Sequence, residues 1–292
     1  MKIKLIIFVL MIIVVSLIRT QAQTDITPPV TPVNVQGFGY EKDLAVEWYH
    51  NSETDLAGYK IYSKSGNDYV LLATIPKEKS FYTSTVPVTG ITRYYKVSAF
   101  DLTGNESPLS DSIICTTHIM TDEEFLDMVQ LKTFRYFYDY GHPVSGLSRE
   151  RLGSGETVTS GGSGFGVMAI LVGIERGYIS REEGVARILK ILNFLNTDAD
   201  RFHGAFSHWL NGSNGNVIPF STIDNGGDLV ETAYMIQGLF SVRQYFDQQT
   251  TAEDSIRNLS TQIINTVEWD WYRRTASSNY LYWHWSPNYN WQ

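Results

Sequence analysis

The spacing of apolar residues divides the chain into two parts with different periods. From about residue 35 to residue 117, apolar and polar residues alternate in short runs that are separated by turn residues. A period of two predicts strands with one buried face, and a series of such runs predicts an all-β sandwich. The predicted strands cover residues 44–48, 59–63, 69–73, 94–100 and 112–115.

After residue 120 the apolar residues recur at helical spacing. Thr121 with Glu124, and Ser180 with Glu183, have the spacing of capping boxes, which mark helix starts. Five helices are predicted, over residues 121–141, 167–176, 180–195, 228–246 and 252–267. Between them lie long polar and aromatic loops, which indicates an α/α array whose loops carry function.

A glycine-rich run, GGSGFG, occupies residues 161–166. It has neither the GxxxxGK[ST] pattern nor a GxGxxG that follows a predicted strand, so it is not a phosphate loop. We predict instead a helix start that packs closely against another element.

The N-terminus has the pattern of a secretory signal. Lys2 and Lys4 precede an apolar run over residues 5–15, and Thr20-Gln21-Ala22 offers small residues for cleavage after Ala22. The run is shorter than the ~20 residues of a membrane span. We therefore expect a signal peptide over residues 1–22, a Thr/Pro leader over 23–34 and export to the periplasm or the extracellular space.

Composition and charge restrict the partners and the chemistry. The formal net charge is −8 and no basic run is present, which argues against nucleic acid or an anionic membrane as a partner. Cys115 is the single cysteine, so no internal disulfide forms. It lies in an apolar run and is interpreted as a small buried hydrophobic residue rather than a nucleophile.

The most informative stretch is DNGGDLVETAY, residues 224–234. Asp224, Asp228 and Glu231 are spaced i, i+4 and i+7, which brings them near one helix face. Clustered carboxylates separate one another's pKa values, as general acid/base chemistry requires. From these residues alone, a capped and solvated helix start is the simpler interpretation.

Metal binding is not expected at this stretch or at the nearby histidines. The acidic stretch lacks the DxDxDG ligand ladder of calcium loops, and His203 and His208 are five residues apart rather than at HExxH spacing. No cofactor motif is present, so we predict no metal and no cofactor.

Polar and aromatic residues in the loops could line a carbohydrate cleft, since sugars need hydrogen bonds to their hydroxyls and flat apolar platforms. For each aromatic residue taken alone, core packing is the simpler explanation. The candidate substrate-binding residues are His142, Arg149, His203, His208, Trp209, Asn211, Trp283, His284 and Trp285.

Two resemblances to known families refine these expectations. The segments PPVTPVNV, AVEWYHNSETDLAGYKIYSKSG and YYKVSAFDLTGNES resemble a fibronectin type III domain, with Trp48 as its core tryptophan and Tyr94 or Tyr95 as its corner tyrosine. Such a domain over residues 35–117 implies a spacer or docking module, and no chemistry is assigned to it.

The second resemblance covers residues 120–292. The segments FRYFYDYGHPVSGLSRER, GGSGFGVMAILVGIERGYISREEG, RFHGAFSHWLNG, DNGGDLVETAYMIQGL and YWHWSPNYNW are similar to the bacterial glycoamylase-like family, which includes β-1,2-glucanases and sophorose-releasing enzymes. The resemblance implies an (α/α)6 toroid and inverting glycoside hydrolysis, with Asp224, Asp228 and Glu231 in the acidic motif around the substrate. It also implies a general acid glutamate shortly after HWSPNY, and we expect it beyond Gln292, in a chain that is a truncated fragment.

The sequence thus predicts a multidomain protein, an all-β fibronectin type III-like sandwich followed by an all-α toroid that is incomplete in this chain. The predicted function is inverting hydrolysis of a β-glucan, with β-1,2-glucan or its oligosaccharides as substrate. The three carboxylates would position the sugar and the water. The alternatives are a noncatalytic glycan-binding protein and a glycosidic-bond phosphorylase.

Overall fold

The computed structural model describes residues 25–77 and 79–291, and the chain forms two compact units. One unit ends at Met120 and the other begins at Thr121. The predicted signal peptide, residues 1–22, lies outside the described residues. Among the helices of the described part, none combines the length and the apolar content that crossing a bilayer requires.

The N-terminal unit consists of two antiparallel sheets. One has the strand order β1-β2-β5 and the other β4-β3-β6-β7. The alternation predicts five of these strands, but not β1, which contains two glycines, or β5. The strands are β1 (Gln36–Gly39), β2 (Asp43–Glu47), β3 (Leu56–Ser65), β4 (Asp68–Pro76), β5 (Phe81–Thr85), β6 (Thr92–Asp101) and β7 (Ile113–Thr116).

The core of this unit lies between the inward faces of the two sheets. Trp48 and Tyr59 are buried there with ring centroids 5.0 Å apart. Cys115 is buried in the same core, which confirms its interpretation as a hydrophobic residue. Burial raises the pKa of its thiol to about 11, so the thiolate is not formed near neutral pH.

The described residues of the C-terminal unit contain five α-helices. Both predicted capping boxes are present, at Thr121 and at Ser180. The second helix begins earlier than predicted because the glycine run belongs to it. The helices are α1 (Asp122–Tyr138), α2 (Ser160–Glu175), α3 (Arg181–Thr197), α4 (Leu229–Tyr245) and α5 (Thr251–Asn265), and a 3₁₀ turn follows at Trp269–Arg273.

Helices α2 and α4 cross with almost no side chain between them. A Cβ on Gly164 would overlap the carbonyl oxygen of Tyr234, and a Cβ on Gly238 would lie 2.5 Å from the carbonyl oxygen of Gly164. The glycine run is therefore the close-packed helix start that the sequence predicts. This crossing places the first turns of α2 and α4 beside each other.

The predicted fold class is wrong, because the chain is not an all-β part followed by an all-α part. Seven short strands, six between the helices and one after the last helix, form small antiparallel sheets among the described residues of the C-terminal unit, so the fold is mixed. Long loops that pack against helices must pair their backbone N–H and C=O groups, and short ladders do so. These strands are β8 (Thr157–Thr159), β9 (Arg201–Phe202), β10 (Ala205–Phe206), β11 (Trp209–Asn211), β12 (Val217–Ile218), β13 (Gly227–Asp228) and β14 (His284–Trp285).

Gly164→Ala tests the helix crossing. The added Cβ meets backbone atoms of α4 that cannot rotate away, so we expect a loss of about 1–3 kcal/mol in the free energy of unfolding, measured by urea titration. Gly162→Ala is the matched control, because its Cβ would meet only the movable side chain of Thr159. It should leave stability unchanged or raise it by up to ~1 kcal/mol. Equal effects of both changes would contradict a close crossing at Gly164.

Candidate active site

Asp228 lies at the centre of a hydrogen-bond network that joins the residues of the candidate site. It precedes α4 as the N-cap, and it is fully buried. One carboxylate oxygen accepts hydrogen bonds from the backbone N–H groups of Val230 and Glu231, both at 2.9 Å. The other oxygen accepts from His208 Nδ1 and from Trp283 Nε1, both at 3.0 Å. Both oxygens are therefore saturated by protein donors.

The two glycines before Asp228 allow the aromatic segment to approach the acidic stretch. Strand β14 pairs with β13, so that Asp228 lies opposite His284. A Cβ on Gly226 would overlap the Trp285 carbonyl oxygen, and a Cβ on Gly227 would overlap the hydroxyl of Tyr272. Only glycine fits at these two positions. The DNGGD stretch can therefore lie directly against β14 and pair with it.

Asp224 lies in the loop before β13, outside helix α4. Its Oδ1 is buried and has no hydrogen-bond partner among the described residues. Burial raises the pKa of Asp224, and the negative charge of Asp228 raises it further, whereas His284 and His208 act in the opposite direction. A buried acceptor without a donor is costly unless a ligand or water completes it.

Glu231 lies in the first turn of α4 and faces the start of α2. Its Oε2 accepts a hydrogen bond from the Gly161 N–H at 2.9 Å, and a Cβ on Gly161 would lie only 2.5 Å from this oxygen. Burial raises the pKa of Glu231, and the charges of Asp228 and Asp224 add to the shift. The His208 charge and the Gly161 hydrogen bond lower it.

His208 interacts electrostatically with all three carboxylates, Asp224, Asp228 and Glu231. Its hydrogen bond to Asp228 raises the pKa of the imidazole, although partial burial opposes this. The ring stacks on Phe220 with centroids 4.3 Å apart, and the edge of Trp209 contacts both rings. The loop thus presents an imidazole ring, stacked on an aromatic one, to the carboxylates.

Two groups of side chains have the mutual spacing of metal ligands: His208, Asp224 and Asp228 in this site, and Asp25, Asp55 and Asp101 in the N-terminal unit. In the first group, the oxygens of Asp228 already accept four N–H groups. In the second group, Thr103 and Asn105 donate to both oxygens of Asp101. Because a cation would have to displace these donors, we identify neither group as a metal site.

Three of the predicted substrate-binding residues have structural partners instead. His142 is buried, with Nε2 3.3 Å from Glu156, and burial lowers its pKa. Arg149 donates to the carbonyl oxygens of Tyr140 and Gly155. Asn211 accepts from two backbone N–H groups of its own turn. None of these contacts joins the Asp228 centre.

His203 and Trp285 belong to a second cluster. The imidazole of His203 stacks on Trp271 with centroids 3.5 Å apart, and Trp285 meets the same imidazole edge-on at 4.9 Å. His203 Nδ1 lies 3.1 Å from a carboxylate oxygen of Glu268. Of the predicted set, the structure therefore brings His208, Trp209, Trp283 and His284 around Asp224, Asp228 and Glu231.

Sequence reasoning did not assign Asn225, Gly161 or Phe220 to the site. Asn225 hydrogen-bonds Ser286 and Asn288, 61 and 63 residues later in the chain. Local signals existed for Asn225, which lies within the acidic stretch, and for Gly161, which begins the glycine run. Gly161 and Phe220 reach the site through pairings between distant parts of the chain.

Comparison with known proteins finds related glycoside hydrolases. The chain is 45% identical over 263 residues to an exo-β-1,2-glucooligosaccharide sophorohydrolase (non-reducing end) of Parabacteroides distasonis. The crystal structure of a β-1,2-glucanase from the same organism has a TM-score of 0.77 and 42% identity, and the match covers 93% of this chain. An endo-β-1,2-glucanase of Chitinophaga pinensis, solved with sophorotriose and glucose, has a TM-score of 0.56 and 52% identity over 59% of this chain.

These matches cover only part of each relative. The chain spans 36% of the length of the sophorohydrolase, 39% of the β-1,2-glucanase structure and 43% of the endo-β-1,2-glucanase structure. No protein-family model matches the chain.

Asp228→Asn tests the link between Asp228 and His208. Asparagine preserves the N-cap but removes the charge that His208 faces, so the pKa of His208 should fall. An NMR titration of the imidazole signals measures it. In the wild type, the pKa of His208 in the folded state is raised above 6.5. The pair therefore stabilises the fold fully below pH 6.5. This contribution to the free energy of unfolding is lost as the pH rises through the folded-state pKa. His142, whose contacts are elsewhere, is the internal control, and an unchanged His208 titration would disprove the link.

Proposed function

We propose that this chain forms the substrate-facing part of a glycoside hydrolase that cleaves β-1,2-glucan or its oligosaccharides. The observation that carries this proposal is the pair of half-buried carboxyl groups, Asp224 and Glu231, arranged around the buried Asp228. Burial raises the pKa of both groups. Raised carboxyl pKa values in a polar, aromatic setting are typical of general acid/base sites. The names of the similar proteins supply the substrate class.

Asp224 is best suited to receive a proton from the attacking water. Its Oδ1 has no donor among the described residues, and the residue as a whole is only half-buried, so its carboxyl group can meet a bound water. In an inverting reaction, the water oxygen bonds to the anomeric carbon as the glycosidic C–O bond breaks. Asp224 takes the proton of the water, and a second carboxylic acid protonates the leaving oxygen. We infer from the family resemblance that this acid is a glutamate that follows HWSPNY in the sequence.

Glu231 and Asp228 have supporting roles in this proposal. The Gly161 N–H and the start of α4 hold Glu231 in place, so its remaining oxygen can bind a sugar hydroxyl. Asp228 has no exposed surface and no oxygen without a donor. It therefore positions His208 and Trp283 rather than contacting the substrate.

Trp283 provides a stacking platform for a glucose ring. Its side chain is 60% exposed, while its indole N–H is held by Asp228. The ring borders an apolar groove of about 460 Å³, lined also by Tyr234, Trp269 and Tyr282. A fixed aromatic face loses little conformational entropy when a sugar stacks on it.

We also propose that the protein is exported and that its N-terminal unit is a fibronectin type III-like spacer. The signal-like pattern over residues 1–22 supports export. The order of the strands in two antiparallel sheets, with Trp48 in the core between them, supports the relation to fibronectin type III domains.

The first test is turnover of β-1,2-glucan by the complete protein. We expect sophorose or short oligosaccharides to accumulate, and Asp224→Asn should lower kcat by about 10²–10⁴-fold because proton transfer is lost. Asp127→Asn, which changes an exposed carboxylate on α1, is the control and should leave kcat unchanged. Product analysis by chromatography decides between the outcomes.

Each alternative predicts a different result in the same assay. Release of a sugar phosphate only in the presence of phosphate would identify a phosphorylase. Binding without turnover, unchanged in Asp224→Asn, would identify a noncatalytic glycan-binding protein. No new reducing ends from any β-glucan would refute the hydrolase.

Substitutions of Trp283 separate stacking from positioning. Trp283→Ala removes the platform and should raise KM by about 5–10-fold, since burying roughly 50 Å² of apolar surface against the ring is worth about 1 kcal/mol. Trp283→Phe keeps a ring but loses the N–H bond to Asp228, so KM should rise less. Steady-state kinetics on β-1,2-glucooligosaccharides measure both, and an unchanged KM in Trp283→Ala would exclude the platform.

A further inference from the structure

Both polar atoms of the Asn225 side chain are hydrogen-bonded to one turn, residues 286–290. Its amide oxygen accepts a hydrogen bond from Ser286 Oγ at 2.7 Å, and its amide nitrogen donates to Asn288 Oδ1 at 2.7 Å. Asn225 directly follows Asp224. A fixed amide at this position therefore restricts where the backbone of Asp224 can lie.

The turn that holds Asn225 is itself well supported. Ser286 is fully buried, and its Oγ accepts from the N–H groups of Asn288 and Tyr289 at 3.2 and 3.0 Å. The backbones of Ser286 and Asn290 exchange hydrogen bonds of 2.9 and 2.8 Å. Because β14 immediately precedes this turn and pairs with β13, the turn is anchored to the acidic stretch.

The other side of Asp224 is also constrained. Its carbonyl oxygen accepts from the Phe220 N–H at 2.9 Å, and its N–H donates to Ser221 Oγ at 3.2 Å. Gly226, on the far side of Asn225, lies so close to Trp285 that a Cβ would overlap the carbonyl oxygen. While these contacts persist, the backbone at Asp224 cannot reorient.

We propose that Asn225 is a positioning residue that holds the half-buried Asp224 carboxylate in the orientation in which it accepts the proton of the attacking water. The amide acts through the loop and does not touch the substrate. This proposal rests on the role proposed above for Asp224.

Loss of the two Asn225 hydrogen bonds should change the pKa of Asp224. When the two amide hydrogen bonds are removed, the loop relaxes and the Asp224 carboxylate gains water. Its pKa then falls, because burial is the main cause that raises it. The charged groups that interact with Asp224 are Asp228, His208, His284 and Glu231, and none of them is altered. A purely structural role would lower stability without moving this titration.

The test uses Asn225→Leu, which is nearly isosteric and forms no hydrogen bonds. Asn193→Leu, at an exposed position on α3, is the matched control. Asn288→Ala removes one anchor only and serves as the milder variant if Asn225→Leu fails to fold. A carboxyl ¹³C NMR titration gives the pKa of Asp224 in this chain, and kcat and KM against pH are measured in the complete protein.

We expect the pKa of Asp224 to fall in Asn225→Leu and to stay unchanged in Asn193→Leu. The acidic limb of the kcat profile should move to lower pH by the same amount, with kcat reduced on the order of 10²-fold and KM nearly constant, as for a misplaced catalytic group. Asn288→Ala should show a smaller change in the same direction. An unchanged Asp224 titration in a folded Asn225→Leu or Asn288→Ala variant would overturn the proposal. If the wild type hydrolyses no β-glucan, the proposed function fails, while the titration still decides whether Asn225 positions Asp224.

Discussion

The burial of the Asp228 carboxylate is the constraint on which the rest of the site depends. An ionised carboxylate removed from water is costly unless donors saturate its oxygens. Here the donors come from three parts of the chain: the first turn of α4, His208 in the preceding loops and Trp283 after the 3₁₀ turn. Satisfying this one group therefore draws separate loops together, and the glycines at 226 and 227 allow β14 to approach closely enough.

Because of this burial, the three carboxylates of the short motif differ in how many of their hydrogen bonds the protein already supplies. Asp228 uses all of its hydrogen-bonding capacity on the protein, whereas Asp224 retains a buried oxygen without a donor and Glu231 has one backbone partner. The hydrogen bond to Asp228 raises the pKa of His208, and the charged form of His208 opposes the effect of burial on the pKa values of Asp224 and Glu231. The protein alone thus saturates the Asp228 carboxylate, whereas Asp224 and Glu231 keep hydrogen-bonding capacity.

Features encoded by neighbouring residues could be predicted from the sequence, and features created by distant pairings could not. The capping boxes at Thr121 and Ser180 and the alternating strands of the N-terminal unit depend on local patterns, and they are found. The two-residue strands are too short to show a period, so the prediction of an all-α part failed. The spacing of the acidic stretch predicted that its three carboxylates share one helix face, but Asp224 lies in the loop before the helix. His142 and Arg149 have the residue types of a sugar site, yet their partners are within their own loops.

The central claim is that Asp228 organises the site while Asp224 faces the reacting bond. A crystal structure of the complete protein with a β-1,2-glucooligosaccharide across the site tests it most directly. We expect a water within hydrogen-bond distance of the Asp224 carboxylate and in line with the anomeric carbon, with the hydrogen bonds from His208 and Trp283 to Asp228 intact. An oxygen of Asp228 in contact with the sugar or with that water would contradict the account.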